Sequence, residues 1–318
     1  MTGTVGWWQR LWTRAPAAAQ GPGRAGEDAL FDEAFQRKLE YLSVVSRRLF
    51  AGRLRAERRT KKSGSGIEFA DHRSYYPGDD LRALDWNMYA RSERLLVKQF
   101  EEEEDLPIHI LLDCSRSMGA GTPPKFDHAR RLAAALAYVG LANLDRVALT
   151  GWSTLVRDRL PAARGRGQVF KMFAFLRGIE CSGETALADA VRAFSAENKR
   201  RGVAIVVSDL YDPAGFERGL NALRYRRFEP MVVHVVDDRE ADPGVRGDLL
   251  LVDVETGSQR EVTLTPDLIA RYRVAHGQWR SEIESFCKSR QIPYVAADVS
   301  GAFDDQVLRL FRRLGVLG

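Results

Sequence analysis

The segment that decides the fold reads Ile108-His109-Ile110-Leu111-Leu112-Asp113-Cys114-Ser115-Arg116-Ser117. Its first half is dominated by large apolar side chains, which predicts a buried strand. Beyond the strand, one carboxylate and two hydroxyls follow at alternate positions, on Asp113, Ser115 and Ser117. Oxygen ligands of this kind suit a hard divalent cation such as Mg²⁺. The segment therefore predicts a buried strand that leads into a cation-binding loop.

Downstream of Pro107, short apolar runs alternate with amphipathic stretches, which predicts strands alternating with helices. The candidate strands are residues 108–112, 146–150, 203–207, 231–236 and 293–297, and the candidate helices are 127–144, 168–179, 186–194, 215–227, 266–290 and 304–314. The run 203–207 has no polar alternation, as is typical of a strand covered on both faces. We therefore predict an α/β domain with a doubly wound, mainly parallel, Rossmann-like sheet. Residues 249–254 and 261–264, joined around Gly257, predict an added β-hairpin.

Composition limits the class of protein. The 318 residues, of which 45% are hydrophobic, can form one large domain with additions or two domains. The net charge of +5 is too small to predict nucleic-acid binding by itself. Cys114, Cys181 and Cys287 are widely spaced and form no zinc pattern, so we expect reduced thiols in a cytoplasmic protein. No apolar run approaches the roughly 18 residues that a membrane helix requires.

We divide the chain into three parts: a loosely attached tail (1–28), a basic helical segment with a charged signature (29–105), and the α/β domain (106–318). The tail contains Trp7, Trp8 and Trp12, which allow at most a peripheral membrane contact. Apolar residues then recur at helical spacing from Leu30 to Leu49. The part before residue 106 is therefore predicted to be a helical or irregular extension.

Basic residues are concentrated between Arg37 and Lys62, and two interpretations are open. They can form a surface for nucleic acid or an acidic partner, or simply the solvated face of a helix. Arg53 to Lys62 has no interleaved aromatic residues, which a stacking platform for bases would need. We therefore favour the solvated face.

Ligands of such a sheet bind beyond the carboxyl ends of its strands, at a topological switch point. Asp113 follows one candidate strand, Asp209 follows the strand 203–207, and Thr185 precedes a candidate helix. We expect Asp113, Ser115, Ser117, Thr185 and Asp209 to converge on one Mg²⁺ or Mn²⁺. Three neutral hydroxyls would leave the ion electron-poor, with a coordination position open to an Asp or Glu of a partner.

Each of these residues also has a structural explanation. Asp113 and Ser117 can cap a helix, Thr185 can cap the helix that starts at Ala186, and Asp209 can be a turn residue. All five arising together, in order and on the appropriate loops, is much less frequent. The set therefore favours the metal site.

The five positions resemble the metal-ion-dependent adhesion site of von Willebrand factor type A domains, and all five match. By that resemblance Ser115, Ser117 and Thr185 are the direct ligands, and Asp113 and Asp209 act largely through water. Glu184 departs from the pattern, because the family often has a small residue there.

A second signature lies upstream: Gly66-Ile67-Glu68-Phe69, then Arg73-Ser74-Tyr75-Tyr76-Pro77-Gly78-Asp79-Asp80, Arg82, Asp85-Trp86 and Ala90-Arg91. Over residues 30–315 the chain resembles the bacterial family catalogued as domain of unknown function 58. The resemblance implies the short, soluble branch of that family. It also implies a MoxR-type AAA+ ATPase as partner, because relatives are encoded beside such ATPases. We interpret the charged residues as an ion-paired clasp that ties this segment onto the main domain over Trp86 and Phe69, rather than as a binding or catalytic cluster.

No catalytic motif accompanies the metal pattern. Ser115 lies between Cys114 and Arg116 instead of in a Gly-x-Ser-x-Gly elbow, and no Walker loop is present. The histidines show no paired zinc spacing, and we expect His109 and His234 to be satisfied core residues. We therefore predict a non-enzymatic, metal-dependent adaptor. A nucleic-acid or membrane-surface binder using the basic segment and a cryptic hydrolase are the alternatives.

Overall fold

Strands and helices alternate along most of the chain in a computed structural model, which describes residues 30–50, 59–63, 68–103, 106–242 and 244–314. The strands are β1 (Arg59–Ser63), β2 (Glu68–Ser74), β3 (Leu96–Glu103), β4 (Ile108–Asp113), β5 (Arg146–Trp152), β6 (Val156–Arg164), β7 (Val203–Ser208), β8 (Glu229–Val236), β9 (Gly247–Val252), β10 (Gln259–Leu264) and β11 (Tyr294–Asp298). The helices are α1 (Glu33–Phe50), α2 (Trp86–Ser92), α3 (Lys125–Ala142), α4 (Val169–Gly178), α5 (Leu187–Glu197), α6 (Phe216–Tyr225), α7 (Pro266–Ser289) and α8 (Phe303–Leu314).

A six-stranded sheet in the order β11-β8-β7-β4-β5-β6 organises the main domain. All neighbouring strands are parallel except the edge pair β5–β6, which is antiparallel. The predicted doubly wound, mainly parallel sheet is therefore confirmed. The edge strand β6 was not predicted, because its sequence VRDRLPAAR mixes charged residues with a proline and has no regular apolar alternation. Strand β4 pairs with β5 on one side and β7 on the other, so the switch point lies at the end of β4.

The sheet is covered on both faces, which explains its uninterrupted apolar strands. Because strand side chains alternate, Ile110 and Leu112 pack with helices α1, α3, α4 and α8, whereas Leu111 packs with α5, α6 and α7. All six residues of β4 are buried. This packing fixes the carboxyl end of β4 between two layers of helices.

Helix α1 confirms the predicted helical spacing at the start of the extension and belongs to the same core as the sheet. Leu39 and Leu42 are fully buried, and the ring of Phe31 stacks on Phe173 of α4 with 4.8 Å between centroids. Phe35 contacts Phe303 at the start of α8 with 5.4 Å between centroids. The boundary at residue 106 stays a prediction, although the helix upstream of it shares the main core.

Between α1 and the main domain, the chain forms a three-stranded antiparallel sheet in the order β1-β3-β2. A helical or irregular segment was expected here, and the sheet is a correction. Sequences such as RTKKS in β1 and LVKQFEEE in β3 are so highly charged that they carry no strand-like apolar alternation.

The charged signature joins β2 to the segment that follows it. Arg73 donates two hydrogen bonds to the carboxylate of Asp79, at 2.7 and 2.6 Å. Asp85 caps α2 by accepting from the backbone of Asn87 and Met88, and its carboxylate lies 2.9 Å from Nε2 of His72. These ion pairs join residues of the segment to one another, and the tie to the main domain stays a prediction.

Trp86 does not pack beneath the clasp, and that prediction was wrong. Its side chain is 61% exposed and meets Tyr89 edge to face. The side chain of Phe69 lies outside the described residues. Trp86 is the first residue of a short helix whose described residues are not buried, so no core is available to it.

The two strand histidines differ. His234 is satisfied, with Nδ1 2.8 Å from the hydroxyl of Tyr294. His109 is buried between Phe194 and Phe228, and neither of its ring nitrogens has a hydrogen-bond partner among the described residues. The expectation of a satisfied core histidine was therefore wrong for His109.

Within the described ranges, no helix combines the length and the apolar character that crossing a membrane requires. The tryptophan-rich start lies outside the described residues. The side chains of the basic segment from Arg47 to Lys62 lie outside them too, so neither alternative binding surface can be placed.

Candidate functional site

Three loops meet at the carboxyl ends of β4 and β7, and backbone hydrogen bonds join the first loop to the second and to the end of β5. The N–H of Cys114 donates to Trp152 at the end of β5, and the carbonyl of Cys114 accepts from Ser182 at 2.8 Å. The N–H of Arg116 donates to Gly183 at 3.1 Å. Gly183 has φ +81°, and a Cβ there would lie 2.9 Å from the hydroxyl of Ser153. Glycine therefore allows the second loop to pack closely against Ser153, directly after β5.

The first loop presents Asp113, Ser115 and Ser117 in a buried cluster. One oxygen of Asp113 accepts from the N–H of Ser115 at 2.9 Å, and the other accepts from the hydroxyl of Ser208 at 2.5 Å. The hydroxyl oxygens of Ser115 and Ser117 lie 3.0 Å apart. The alternate spacing in sequence thus places the three side chains together.

Thr185 and Asp209 reach the same edge from the second and third loops. The hydroxyl of Thr185 donates to Glu255 at 2.6 Å, and its backbone N–H donates to the other oxygen of that carboxylate at 3.1 Å. Asp209 accepts from the ammonium of Lys125 at 2.7 Å and from the N–H of Tyr211 at 3.2 Å. All five predicted residues are therefore buried and brought to one edge of the sheet. Their ligation of a metal stays a prediction.

Helix capping and turn formation, the structural explanations for these residues, hold for some of them only. Helix α5 begins at Leu187, whose N–H donates to Asp212 at 2.8 Å, so Thr185 does not cap it. The 3-10 turn that starts at Ser117 has no side-chain cap. Asp209 does accept from the backbone two residues on, as a turn residue would. Capping therefore does not account for Thr185 or Ser117.

Two residues of the site were missed by sequence reasoning, Lys125 and Glu255. Lys125 lies in the first turn of α3 and bridges Asp209 and Glu240, with its ammonium 2.5 Å from the latter. It is the only lysine or arginine buried within the described part of the chain. Glu255 lies in the turn between β9 and β10 and is 1% exposed. Neither belongs to a local motif, and no signal in the sequence links them to the first loop.

Negative charge dominates the electrostatics of the site. Burial, followed by the charge of Asp209, raises the pKa of Asp113, although hydrogen bonds from Ser208 and Ser115 oppose the shift. Burial also raises the pKa of Glu255. Burial alone would lower the pKa of Lys125, but the adjacent carboxylates of Asp209 and Glu240 raise it above its usual range. The buried ammonium of Lys125 is thus paired with the carboxylates of Asp209 and Glu240.

A metal held here would need the hydroxyl oxygens. The described residues contain no group of three or more His, Cys, Asp or Glu side chains that could hold a metal ion by themselves. Ser115, Ser117 and Thr185 supply three neutral oxygens beside the carboxylates, which is chemistry suited to a hard divalent cation.

The thiol of Cys114 is packed rather than reactive. It is fully buried, lies 3.0 Å from the carbonyl oxygen of Trp152, and has a pKa raised by burial to about 12. A thiol becomes a nucleophile or redox sensor when its pKa is depressed and it is accessible. Cys114 is therefore a packed residue of the hydrophobic core.

The order and direction of the strands define a doubly wound, mainly parallel α/β domain. The model of the family described as "Protein of unknown function DUF58" matches residues 71–282, two thirds of the sequence, and the chain belongs to that family. A protein of Mycobacterium tuberculosis described as uncharacterized is 29% identical over 272 residues, which cover 83% of this chain and 85% of that protein. A protein of Mycobacterium bovis, likewise described as uncharacterized, gives the same values.

Solved structures show weaker likeness. The conserved hypothetical protein BatB from Bacteroides thetaiotaomicron is 16% identical and superposes with a TM-score of 0.40, over 67% of this chain and 100% of that one. A von Willebrand factor type A protein from Catenulispora acidiphila is 12% identical, with a TM-score of 0.36 over 68% of this chain and 43% of that one.

Proposed function

We propose that this chain is a non-enzymatic protein-binding domain that contacts its partner through one Mg²⁺ or Mn²⁺ ion. Ser115, Ser117 and Thr185 would hold the ion directly, and Asp113 and Asp209 would support it, largely through water. The observation that supports the proposal is the burial of all five side chains together at the switch point of the sheet. The bound ion would supply positive charge and a position for a carboxylate of the partner.

The chemistry of the donors fits such an ion. The hydroxyl oxygens of Ser115 and Ser117 are 3.0 Å apart, close enough to share one cation. Asp113 is fully buried, and its carboxylate accepts hydrogen bonds only from neutral groups, Ser115 and Ser208. Lys125 is already shared between Asp209 and Glu240, and no ion pair between described residues involves Asp113. A divalent ion would balance this surplus.

For the partner, we propose a MoxR-type AAA+ ATPase met in the cytoplasm. The support is the resemblance of the upstream signature to a family whose members are encoded beside such ATPases. The acidic side chain offered to the ion would come from that ATPase or from a target that it remodels. The exposed surface around the first loop, including Arg116, would form the rest of the contact.

Binding of Mn²⁺ to the full chain, followed by calorimetry and by electron paramagnetic resonance, tests the metal. The wild type should bind one ion. Asp113→Ala and Ser117→Ala should each weaken the affinity by about 10-fold or more, because each removes an oxygen ligand or its support. Asp305→Ala, an exposed carboxylate in the first turn of α8, is the matched control and should bind as the wild type does.

Circular dichroism and urea unfolding of the same proteins separate lost binding from lost folding. A wild type that takes up no Mn²⁺ would overturn the proposal. Folded Asp113→Ala and Ser117→Ala proteins that bind Mn²⁺ with unchanged affinity would also overturn it.

A further inference from the structure

Glu255 places a carboxylate against two of the proposed metal ligands. It accepts from the hydroxyl of Thr185 at 2.6 Å and from the N–H of Thr185 at 3.1 Å, and it also forms a side-chain hydrogen bond with Ser117. Thr185 and Ser117 come from different loops, and Glu255 comes from a third part of the chain, 70 residues after Thr185. The carboxylate of Glu255 therefore bridges the first and second loops.

The turn that carries Glu255 is built to hold it there. The guanidinium of Arg116, in the first loop, donates to the carbonyl oxygen of Glu255 at 2.8 Å. On its other side, the N–H of Glu255 donates to the carboxylate of Asp253 at 2.8 Å, and Gly257 completes the turn with φ +74°. Backbone and side chain of Glu255 are thus both engaged at the site.

Burying a carboxylate is costly unless hydrogen bonds or a cation compensate for the lost water. Glu255 is 1% exposed, and its carboxylate accepts from both the hydroxyl and the backbone N–H of Thr185. A cation held by Ser117 and Thr185 would be an immediate neighbour of this carboxylate. That location is also where an incoming acidic side chain would have to contact the ion.

We propose that Glu255 is an internal carboxylate ligand of the metal site, and that the β9–β10 hairpin must lift before an acidic side chain of a partner can take its place. This inference rests on the proposed function. In the described residues, β9 and β10 pair only with each other, so the hairpin can move without breaking the six-stranded sheet. A two-stranded hairpin is only marginally stable alone, which suits a movable cover.

The test uses Mn²⁺ as the ion and acetate as the probe for a carboxylate. Glu255→Gln keeps the shape and an acceptor for Thr185 but removes the charge. Relative to the wild type, it should bind Mn²⁺ roughly 10-fold more weakly. Bound Mn²⁺ in this variant should also relax water protons and the methyl protons of added acetate more strongly, because the internal ligand no longer fills the position. Glu261→Gln, an exposed residue on β10 of the same hairpin, is the matched control.

Hydrogen exchange adds a readout of the hairpin itself. Saturating Mn²⁺ should slow exchange of the amides at 253–258 in the wild type and in Glu261→Gln, but much less in Glu255→Gln. If the wild type binds no Mn²⁺, the proposed function fails and this inference with it. If the wild type and Glu255→Gln bind Mn²⁺ with equal affinity and equal proton relaxation, this inference alone is overturned.

Discussion

At the scale of single residues, His109 shows how a buried polar group makes stability depend on pH. Its ring is 4% exposed and packs between two phenylalanines, and neither nitrogen has a described partner. Burial disfavours the charged ring and lowers the pKa of His109 to about 4. In the unfolded chain the same group would titrate near its usual value of about 6.5.

Between roughly pH 6.5 and pH 4, the unfolded state therefore binds a proton at His109, whereas the folded state keeps the ring neutral. His109 therefore destabilises the folded state least above that window, and this destabilisation grows as the pH falls through it. His109→Phe removes the titration and keeps an aromatic ring beside Phe194 and Phe228. We expect the stability advantage of the variant to grow as the pH falls, by up to about 3 kcal/mol.

Urea unfolding of the wild type and His109→Phe across this pH range measures that difference. Other titrating groups, including the buried His234, are present in both proteins and cancel in the comparison. A difference in unfolding free energy that stays constant from pH 7 to pH 4 would contradict the assignment.

At the scale of elements, the second loop of the site depends on how α5 begins. The N–H of Leu187 donates to the carboxylate of Asp212, which also accepts from the N–H of Ala214. Asp212 thus ties the start of α5, just after Thr185, to the loop after β7 that carries Asp209. A side chain from a distant loop serves as the cap, whereas the hydroxyl of Thr185 donates to Glu255 at the site.

Asp212→Ala should therefore destabilise the fold by about 1–2 kcal/mol through loss of the cap. Asp212→Asn, which can still accept from Leu187, should lose much less. Urea unfolding gives both values, and Thr185→Ser, which keeps a hydroxyl, serves as a neighbouring control. Equal stability of Asp212→Ala and the wild type would show that the cap contributes nothing.

The elements that could be predicted from the sequence are those whose apolar pattern reflects burial in the sheet. Strands β4 and β7 are unbroken apolar runs because helices cover both faces, and the structure extends each by only one residue beyond the prediction. The edge strand β6 and the upstream strands escaped prediction because exposed, charged strands have no apolar period to detect. Pairing partners, not side-chain patterns, determine such strands.

At the scale of the whole molecule, topology accounts for how much of the site could be predicted. Asp113 and Asp209 follow neighbouring parallel strands, so their meeting at one edge follows from the sheet. Lys125 and Glu255 could not be predicted in this way, since they lie 84 and 70 residues from Asp209 and Thr185, their partners. Their positions depend on where a helix start and a hairpin tip come to rest in three dimensions.

Capture of a MoxR-type ATPase by the immobilised full chain is the prediction that involves the molecule as a whole. The wild type should bind the ATPase in Mg²⁺, and Asp113→Ala should bind at least about 10-fold more weakly, a loss of about 1.4 kcal/mol. Chelation alone is a poor test, because it also removes Mg²⁺ from the nucleotide of the ATPase. The comparison of Asp113→Ala with Asp305→Ala in the same Mg²⁺ buffer avoids that problem, since both lose one carboxylate and only Asp113 belongs to the site. Equal capture by these two variants would show that any contact with the ATPase does not run through the metal site.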